Sequence, residues 1–331
     1  MFYSIIVPVY NRVDEVRELL ESLAAQTADN FEVVLVEDGS TLPCRAVAEE
    51  YADRLNVKYF FKENEGRSIA RNYGMERAVG DYFIFFDSDC VIPPDYFAGL
   101  NATMAGRPLD CFGGPDAAAD SFTTTQKAIN HAMTSFLTTG GIRGGKLSLE
   151  KFTPRTFNMG FSRAVYQRVG GFREMFSEDI DMSTRIRLAG FYIGLYPDVK
   201  VWHKRRVDFR KFLRQVYVFG MSRITLQLLY PGSLKAVHCL PALFVIGVAT
   251  MLAMAVVWSP WWLLPPAVYL LAIFVSALWS TRSAVIAVKA VPASVIQLGG
   301  YGCGFLKAYL LKIVLGRGRN QDEEIAMRKG K

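Results

Sequence analysis

The chain has 331 residues, 51% of them hydrophobic, and its 38 Lys+Arg against 31 Asp+Glu leave a formal charge of +7. That length fits one large domain, or one domain with an appendage. Charge nearly vanishes from about Leu240 to Leu315, which argues against a single water-soluble fold and for a soluble domain joined to a membrane segment.

In chain order, Ser4–Val9 is a short apolar run that reads as a buried strand, not a signal peptide. Asp14–Ala25 has helical spacing, with Val16, Leu19, Leu20 and Leu23 on one face. Phe31–Val36 is a second apolar run, closed by Glu37, Asp38, Gly39 and Ser40. Helices are predicted over Arg45–Leu55 and Ser68–Val79, and strands over Val57–Phe61 and Tyr82–Phe86. Short strands alternating with helices imply an α/β fold with a mainly parallel sheet. Ligands then bind at the carboxyl ends of the strands, where Asp38, Asp87 and Asp89 stand. Further on, a helix is predicted over Thr124–Leu137, a flexible Gly-rich loop over 138–145 with Arg143 as a candidate acceptor contact, and a helix over Met182–Ala189.

Lys204, Arg205, Arg206, Arg210, Lys211, Arg214 and Arg223 make a basic stretch opposed only by Asp208. Because an apolar segment follows, the partner expected is an anionic membrane surface, not nucleic acid. Asp208–Leu229 reads as a partly amphipathic helix, with Phe209, Phe212, Leu213, Val216 and Phe219 turned to lipid. Two uncharged runs, 240–258 and 261–279, are each long enough to cross hydrocarbon, with tryptophans at their ends as anchors. Pro265 and Pro266 are expected to kink the second. The stretch 284–315 carries lysines and is interrupted by Pro292 and glycines, so it reads either as a third span or as an interfacial helical pair. The domains expected are 1–205, a basic interfacial region 206–239, membrane helices 240–316 and a charged cytosolic tail 317–331. The five cysteines form no CxxC pair and gather no histidines, which argues against structural zinc and predicts free thiols.

The chemistry-bearing residues are acidic. A leaving diphosphate needs its charge stabilised, and carboxylates holding a divalent cation can do this. Asp87-Ser88-Asp89, directly after an apolar strand, is a candidate clamp. Neither GxGxxG nor GxxxxGK[ST] occurs, which disfavours dinucleotide enzymes and P-loop NTPases.

Val7-Pro8-Val9-Tyr10-Asn11-Arg12, Glu37-Asp38-Gly39-Ser40, Gly66-Arg67-Ser68-Ile69-Ala70-Arg71-Asn72, Asp87-Ser88-Asp89, Gly170-Gly171-Phe172 and Glu178-Asp179-Ile180-Asp181 occur in that order. The ordered set resembles a family-2 inverting glycosyltransferase of GT-A fold, over about residues 3–205. The resemblance implies a nucleotide-diphosphate sugar donor, a UDP-sugar favoured, and Mg²⁺ or Mn²⁺. It implies a base pocket from Pro8, Tyr10 and Asp38, with Arg71 on the nucleotide and Asp87 near ribose and metal. Asp89 would bind the metal, with His203 as a further candidate, and Asn158 would lie near the donor sugar. Asp179 would be the general base that takes the acceptor hydroxyl's proton, while Asp181 or Ser177 caps the following helix. The QxxRW signature of processive members is missing around Gln215, which implies transfer of one sugar. The whole reading is a multi-pass transferase of the cytoplasmic membrane, with its catalytic domain cytosolic, acting on a lipid-linked or glycolipid acceptor in cell-envelope synthesis. Two alternatives stay open: a polyprenyl-phosphate sugar synthase, whose anionic acceptor needs no base, and a non-catalytic scaffold that binds nucleotide sugars.

Overall fold

The computed structural model describes residues 1–117, 122–139, 152–203 and 208–317. These fall into two compact units, 1–117 with 152–203, and 122–139 with 208–317. The expected boundary at 205 is therefore interrupted, because residues 122–139 group with the C-terminal helices. The Gly-rich loop from residue 140, Arg143 and the tail beyond Arg317 lie outside the described residues.

The first unit is built on β1 (Tyr3–Val9), β2 (Phe31–Asp38), β3 (Val57–Lys62), β4 (Tyr82–Phe85), β5 (Cys90–Val91), β6 (Cys111–Gly113), β7 (Asp116–Ala117), β8 (Met159–Ser162), β9 (Ile193–Leu195) and β10 (Val201–His203). Seven of them form one sheet in the order β3-β2-β1-β4-β8-β6-β9, and β5-β10-β7 form a second. β3, β2, β1 and β4 run parallel, whereas β8 is antiparallel to both its neighbours. A parallel sheet covered on both faces needs nearly unbroken apolar strands, and β1 meets that need. Ile5, Val7 and Val9 pack with Leu19, Leu20 and Leu23 of the helix Val13–Ala24. Ile6 points to the other face, among Val34, Val36, Phe83, Phe85 and Met75.

The parallel register aligns the carboxyl ends of four strands. Asp38 closes β2 opposite Lys62 of β3, and Asp87 follows β4 by two residues. β1, β2 and β3 are each followed by a helix, Val13–Ala24, Arg45–Glu50 and Arg67–Arg77, that leads to the next parallel strand. The helix Arg67–Arg77 begins at Gly66, whose φ of +100° is available to glycine without strain.

The helix expected over Met182–Ala189 starts earlier and spans Glu178–Leu188, so Asp179 lies in its first turn. Of the two cap candidates, Ser177 stands at the N-cap position, and the Asp181 carboxylate is held by Arg173 at 3.1 Å and Arg185 at 2.9 Å. The helix expected over Thr124–Leu137 stops at Thr134, and a short turn of helix, Phe136–Thr139, follows.

In the second unit three segments are long and apolar enough to cross a membrane: Ala236–Val257, Pro260–Thr281 and Ala284–Val314. Pro265 and Pro266 do not kink the second. They occupy the first turn of the helix Leu264–Thr281, where an N–H would have no partner anyway. Pro292 does not break the third, which runs as one helix from Ala284 to Ala308 and continues as a π-helical turn.

The basic helix Phe209–Leu229 corrects another expectation. Phe212 and Val216 are fully buried, packed with Ile129, Met133 and Ala293 instead of facing lipid. Glycines allow this close approach. A Cβ at Gly220 would lie 2.0 Å from the Tyr301 carbonyl oxygen, and one at Gly304 2.0 Å from that of Tyr217. Small residues at such spacing let helix backbones touch. Thr124 and Thr125 accept hydrogen bonds from the Lys289 ammonium, which fastens the helix Thr124–Thr134 to the third segment.

Candidate active site

The start of the helix Arg67–Arg77 is a hub. The Asp38 carboxylate, almost fully buried, accepts from the backbone N–H of Glu65 at 3.0 Å and of Gly66 at 2.8 Å. It also accepts from Lys62 Nζ at 2.8 Å, and Lys62 in turn pairs with Glu65 at 2.8 Å. A carboxylate at a helix N-terminus sits where the helix dipole favours it.

One turn on, Arg71 is buried completely. One end of its guanidinium donates to Asp87 Oδ1 at 2.7 Å and the other to Glu178 Oε1 at 3.1 Å. Arg67 donates to the second oxygen of Glu178 at 2.8 Å. Thus the base-pocket candidate Asp38, the turn holding Asp87 and Asp89, and the helix start holding Glu178 and Asp179 all meet around one helix end. Phe172 packs beneath it, against Phe85 and 5.7 Å from the Arg71 guanidinium carbon.

The remaining candidates differ in what surrounds them. Pro8 is half-buried in β1, and Tyr10 just beyond it is 51% exposed. Asp87 and Asp89 are partly exposed in the turn after β4, closed by a bond from Cys90 N–H to the Asp87 carbonyl at 3.0 Å. Asp179 accepts from Arg155 at 3.0 Å and from its neighbour's N–H, that of Ile180, at 2.8 Å. Asn158 is buried; it accepts from the Tyr96 hydroxyl at 2.7 Å and donates to the Val199 carbonyl at 2.8 Å. Both ends of its amide are thereby used inside the core. His203 closes β10 opposite Cys90; its side chain lies outside the described residues. Among those residues no group of three or more His, Cys, Asp and Glu is arranged to hold a metal.

Sequence reasoning passed over several members of this site. Glu178 carries the ion-pair network, yet in the sequence it stands only as the first acidic residue of the Glu178-Asp179-Ile180-Asp181 motif. Lys62 reaches Asp38 because β3 lies beside β2. Glu37 is buried and ties the neighbouring loop, accepting from Ser40, from Cys44 N–H at 2.7 Å and from the Tyr59 hydroxyl at 3.1 Å. An acidic residue inside an otherwise apolar strand was the available signal for Glu37. The Gly170-Gly171-Phe172 motif proves to be a packing device: Asn72 both donates to the Phe172 carbonyl and accepts its N–H, at 2.8 and 2.7 Å.

A mainly parallel sheet with acidic residues at its carboxyl edge, arranged this way, defines a GT-A-like nucleotide-sugar fold. A mannosyltransferase, PcManGT from Pyrobaculum calidifontis, solved with GDP-Man and Mn²⁺, has this fold: TM-score 0.59 at 19% identity, over 92% of this chain and 86% of that one. S. aureus TarS 1-349 aligns at TM-score 0.50 and 18% identity, over 96% and 92% of the two chains. Residues 4–170, half of the sequence, match glycosyl transferase family 2, and the chain belongs to that family. Among curated relatives, the putative glycosyltransferase EpsH of Bacillus subtilis is 46% identical over 108 residues, 32% of this chain and 31% of that protein. The validoxylamine A glucosyltransferase of Streptomyces hygroscopicus is 29% identical over 222 residues, 56% of this chain and 51% of that one. The chain thus spans about half or less of the length of the curated relatives it matches here.

Proposed function

We infer that this protein is a membrane-associated inverting glycosyltransferase, transferring one sugar from a nucleotide-diphosphate sugar to a hydroxyl of a lipid-linked or glycolipid acceptor. The observation that carries the reading is the hub at Gly66–Arg71, which gathers Asp38, Asp87 and the Glu178–Asp179 pair from distant parts of the sequence. In this reading Pro8, Tyr10 and Asp38 receive the base, a uridine favoured, and Asp87 lies by the ribose.

The donor set suits Mg²⁺ or Mn²⁺. Asp87 and Asp89 supply hard carboxylate oxygens, and Mg²⁺ sites are commonly completed by substrate phosphates and water in place of a full protein cage. A two-carboxylate clamp therefore fits a cation that arrives with its diphosphate. Such a cation would offset charge on the leaving diphosphate. The chain's own contribution is positional: Arg71 fixes Asp87, and Glu178 fixes Arg71.

Asp179 takes the acceptor proton in this reading, which requires its carboxylate to turn from Arg155 toward an acceptor hydroxyl. The Arg155 contact also supports the rival in which the acceptor is a polyprenyl phosphate, since that acceptor needs no base.

Membrane attachment comes from Ala236–Val257 and Pro260–Thr281 as spans. The third segment is read as interfacial. Between Lys289 and Lys307 it is uncharged, but the middle of that stretch, Gly299–Cys303, lies beside Arg214. A cation held at mid-depth is costly in hydrocarbon and natural at head groups. The catalytic unit is then read as cytosolic, because the basic stretch precedes the first span in the sequence.

The deciding experiment is a panel of nucleotide sugars offered to purified full-length protein with Mn²⁺, scored by nucleoside diphosphate release. One donor should be turned over in the presence of membrane lipid extract. Tight donor binding with no release from any donor would instead establish the non-catalytic scaffold.

A further inference from the structure

A cavity of about 740 Å³ opens between the basic helix Phe209–Leu229 and the third apolar segment. Its lining is chemically divided. Arg210, Lys211 and Arg214 supply cations, and Leu213, Gly299 and Cys303 supply apolar or small surface. Tyr217 also lines it and carries the Lys307 ammonium 5.8 Å from its ring centroid. Among the described residues Arg210 and Arg214 form no ion pair, and Lys211 reaches only the exposed Asp208, at 3.5 Å.

Gly299 is the telling residue. Its neighbour Gly300 is small because packing demands it: a Cβ there would stand 2.7 Å from Val216 Cγ2 and 2.8 Å from Leu213 Cδ1. A Cβ at Gly299 would meet nothing within 4 Å. A glycine inside a helix is unfavourable relative to alanine, and no packing contact here requires one. What its missing side chain leaves is open volume in the cavity floor.

We propose that this cavity is a binding site for an anionic phospholipid of the surrounding bilayer. The lipid phosphate is held by Arg210 and Arg214, and the upper part of an acyl chain lies over Gly299 and Leu213. Arginine matches a phosphate with a planar fork of donors. Basic pockets between helices at the cytoplasmic membrane face suit such head groups. The site rests on the interfacial placement of the third segment argued above. Lipid binding is read without any sugar donor, so failure of transfer and failure of this site are separate results.

The test is equilibrium binding of radiolabelled phosphatidylglycerol to the detergent-solubilised full chain. Binding should be saturable, and phosphatidylcholine should not compete. R210Q/R214Q should bind about thirtyfold more weakly, the loss expected from removing two charges at an anionic surface. Gly299→Leu should occupy the space over Leu213 proposed for the acyl chain and weaken saturable binding, with a thermal midpoint no lower than that of wild type. Should Gly299→Leu fail to fold, R210Q/R214Q decides alone. Wild-type affinity in both variants would overturn the proposal, as would equal competition by phosphatidylcholine. Displacement by inorganic phosphate alone would assign the site to free phosphate. A polyprenyl phosphate binding more than about tenfold tighter would assign it to the acceptor. Either result overturns the phospholipid.

Discussion

Asp87 and Glu178 share one buried guanidinium. Arg71 spans the two carboxylates, at 2.7 Å and 3.1 Å, and is itself fully shielded from solvent. The turn after β4 and the start of the helix Glu178–Leu188 are thus one electrostatic unit. A shift of either one costs a charge-assisted bond to Arg71.

Removing Arg71 should therefore damage more than a ligand contact. Arg71→Met leaves Glu178, almost fully buried, with Arg67 alone. Breaking one side of a buried ion pair costs about 3–5 kcal/mol, so the thermal midpoint should fall well below that of wild type. Arg71→Lys should recover only part of the loss, because a point charge cannot span two carboxylates. Thermal denaturation of both variants checks this.

Asp38 organises its loop as well as facing the proposed base pocket. Asp38→Ala removes the acceptor of the Glu65 and Gly66 N–H groups in a partly exposed loop, at about 1 kcal/mol for each hydrogen bond lost. Donor KM should rise with the loss of stability. Lys62→Met separates the two roles, since it takes the ammonium away from Asp38 Oδ1 and leaves both amide bonds in place. Its donor affinity, measured by calorimetry, should stay within about threefold of wild type if the base pairs with Asp38.

For the cation, chelation by EDTA should abolish nucleoside diphosphate release, and Mn²⁺ should restore it. Asp89→Asn should raise the Mn²⁺ concentration needed for half activity by more than the ~10–100-fold typical of an outer partner of a metal ligand. A Mn²⁺ titration of initial rates reads this directly.

Asp179→Asn discriminates acceptor chemistry. With a hydroxyl acceptor, loss of a general base should lower kcat about 10²–10⁴-fold, with donor KM unchanged. With polyprenyl phosphate as acceptor, most activity should survive. Parallel assays with a polyprenyl phosphate and a polyprenyl-diphosphate sugar separate the two.

Glu32 predicts the acid limit of the fold. Burial alone would push its carboxyl up. The Lys58 ammonium, the Ser4 hydroxyl and the Val79 N–H together outweigh this and hold it below the ordinary glutamate range. A carboxyl with a lowered value in the folded state stabilises fully above its unfolded value and loses that contribution as pH falls through the folded one. Glu32→Gln should therefore be less stable than wild type at pH 7, and the gap should close as pH drops below about 4. Thermal midpoints across pH 3–8 check the sign.

The local reading of the first unit held wherever one strand or helix decides the matter. Apolar runs as short as Ile5–Val9 and Val33–Val36, alternating with helical spacing, read as strands covered on both faces, so the parallel sheet was legible from the residues. So was the position of Asp38 and Asp87 at strand ends, because strand length and the polar residues that stop it are local properties. The uncharged runs after Leu240 were legible for the same reason: hydropathy needs no partner.

What stayed hidden depends on which elements become neighbours. Nothing local says that Arg71 will turn inward between Asp87 and Glu178, that Lys62 will reach Asp38 across a strand pair, or that the Asn158 amide will be used up by Tyr96 and Val199. The amphipathic face with Phe212 and Val216 was visible, but not what covers it. An apolar stripe is satisfied equally by lipid or by another helix, and only Gly220, Gly300 and Gly304, brought together by folding, let a helix come close enough to take that place. Sequence set the elements and their chemistry; long-range ion pairs and backbone-to-backbone packing chose their partners.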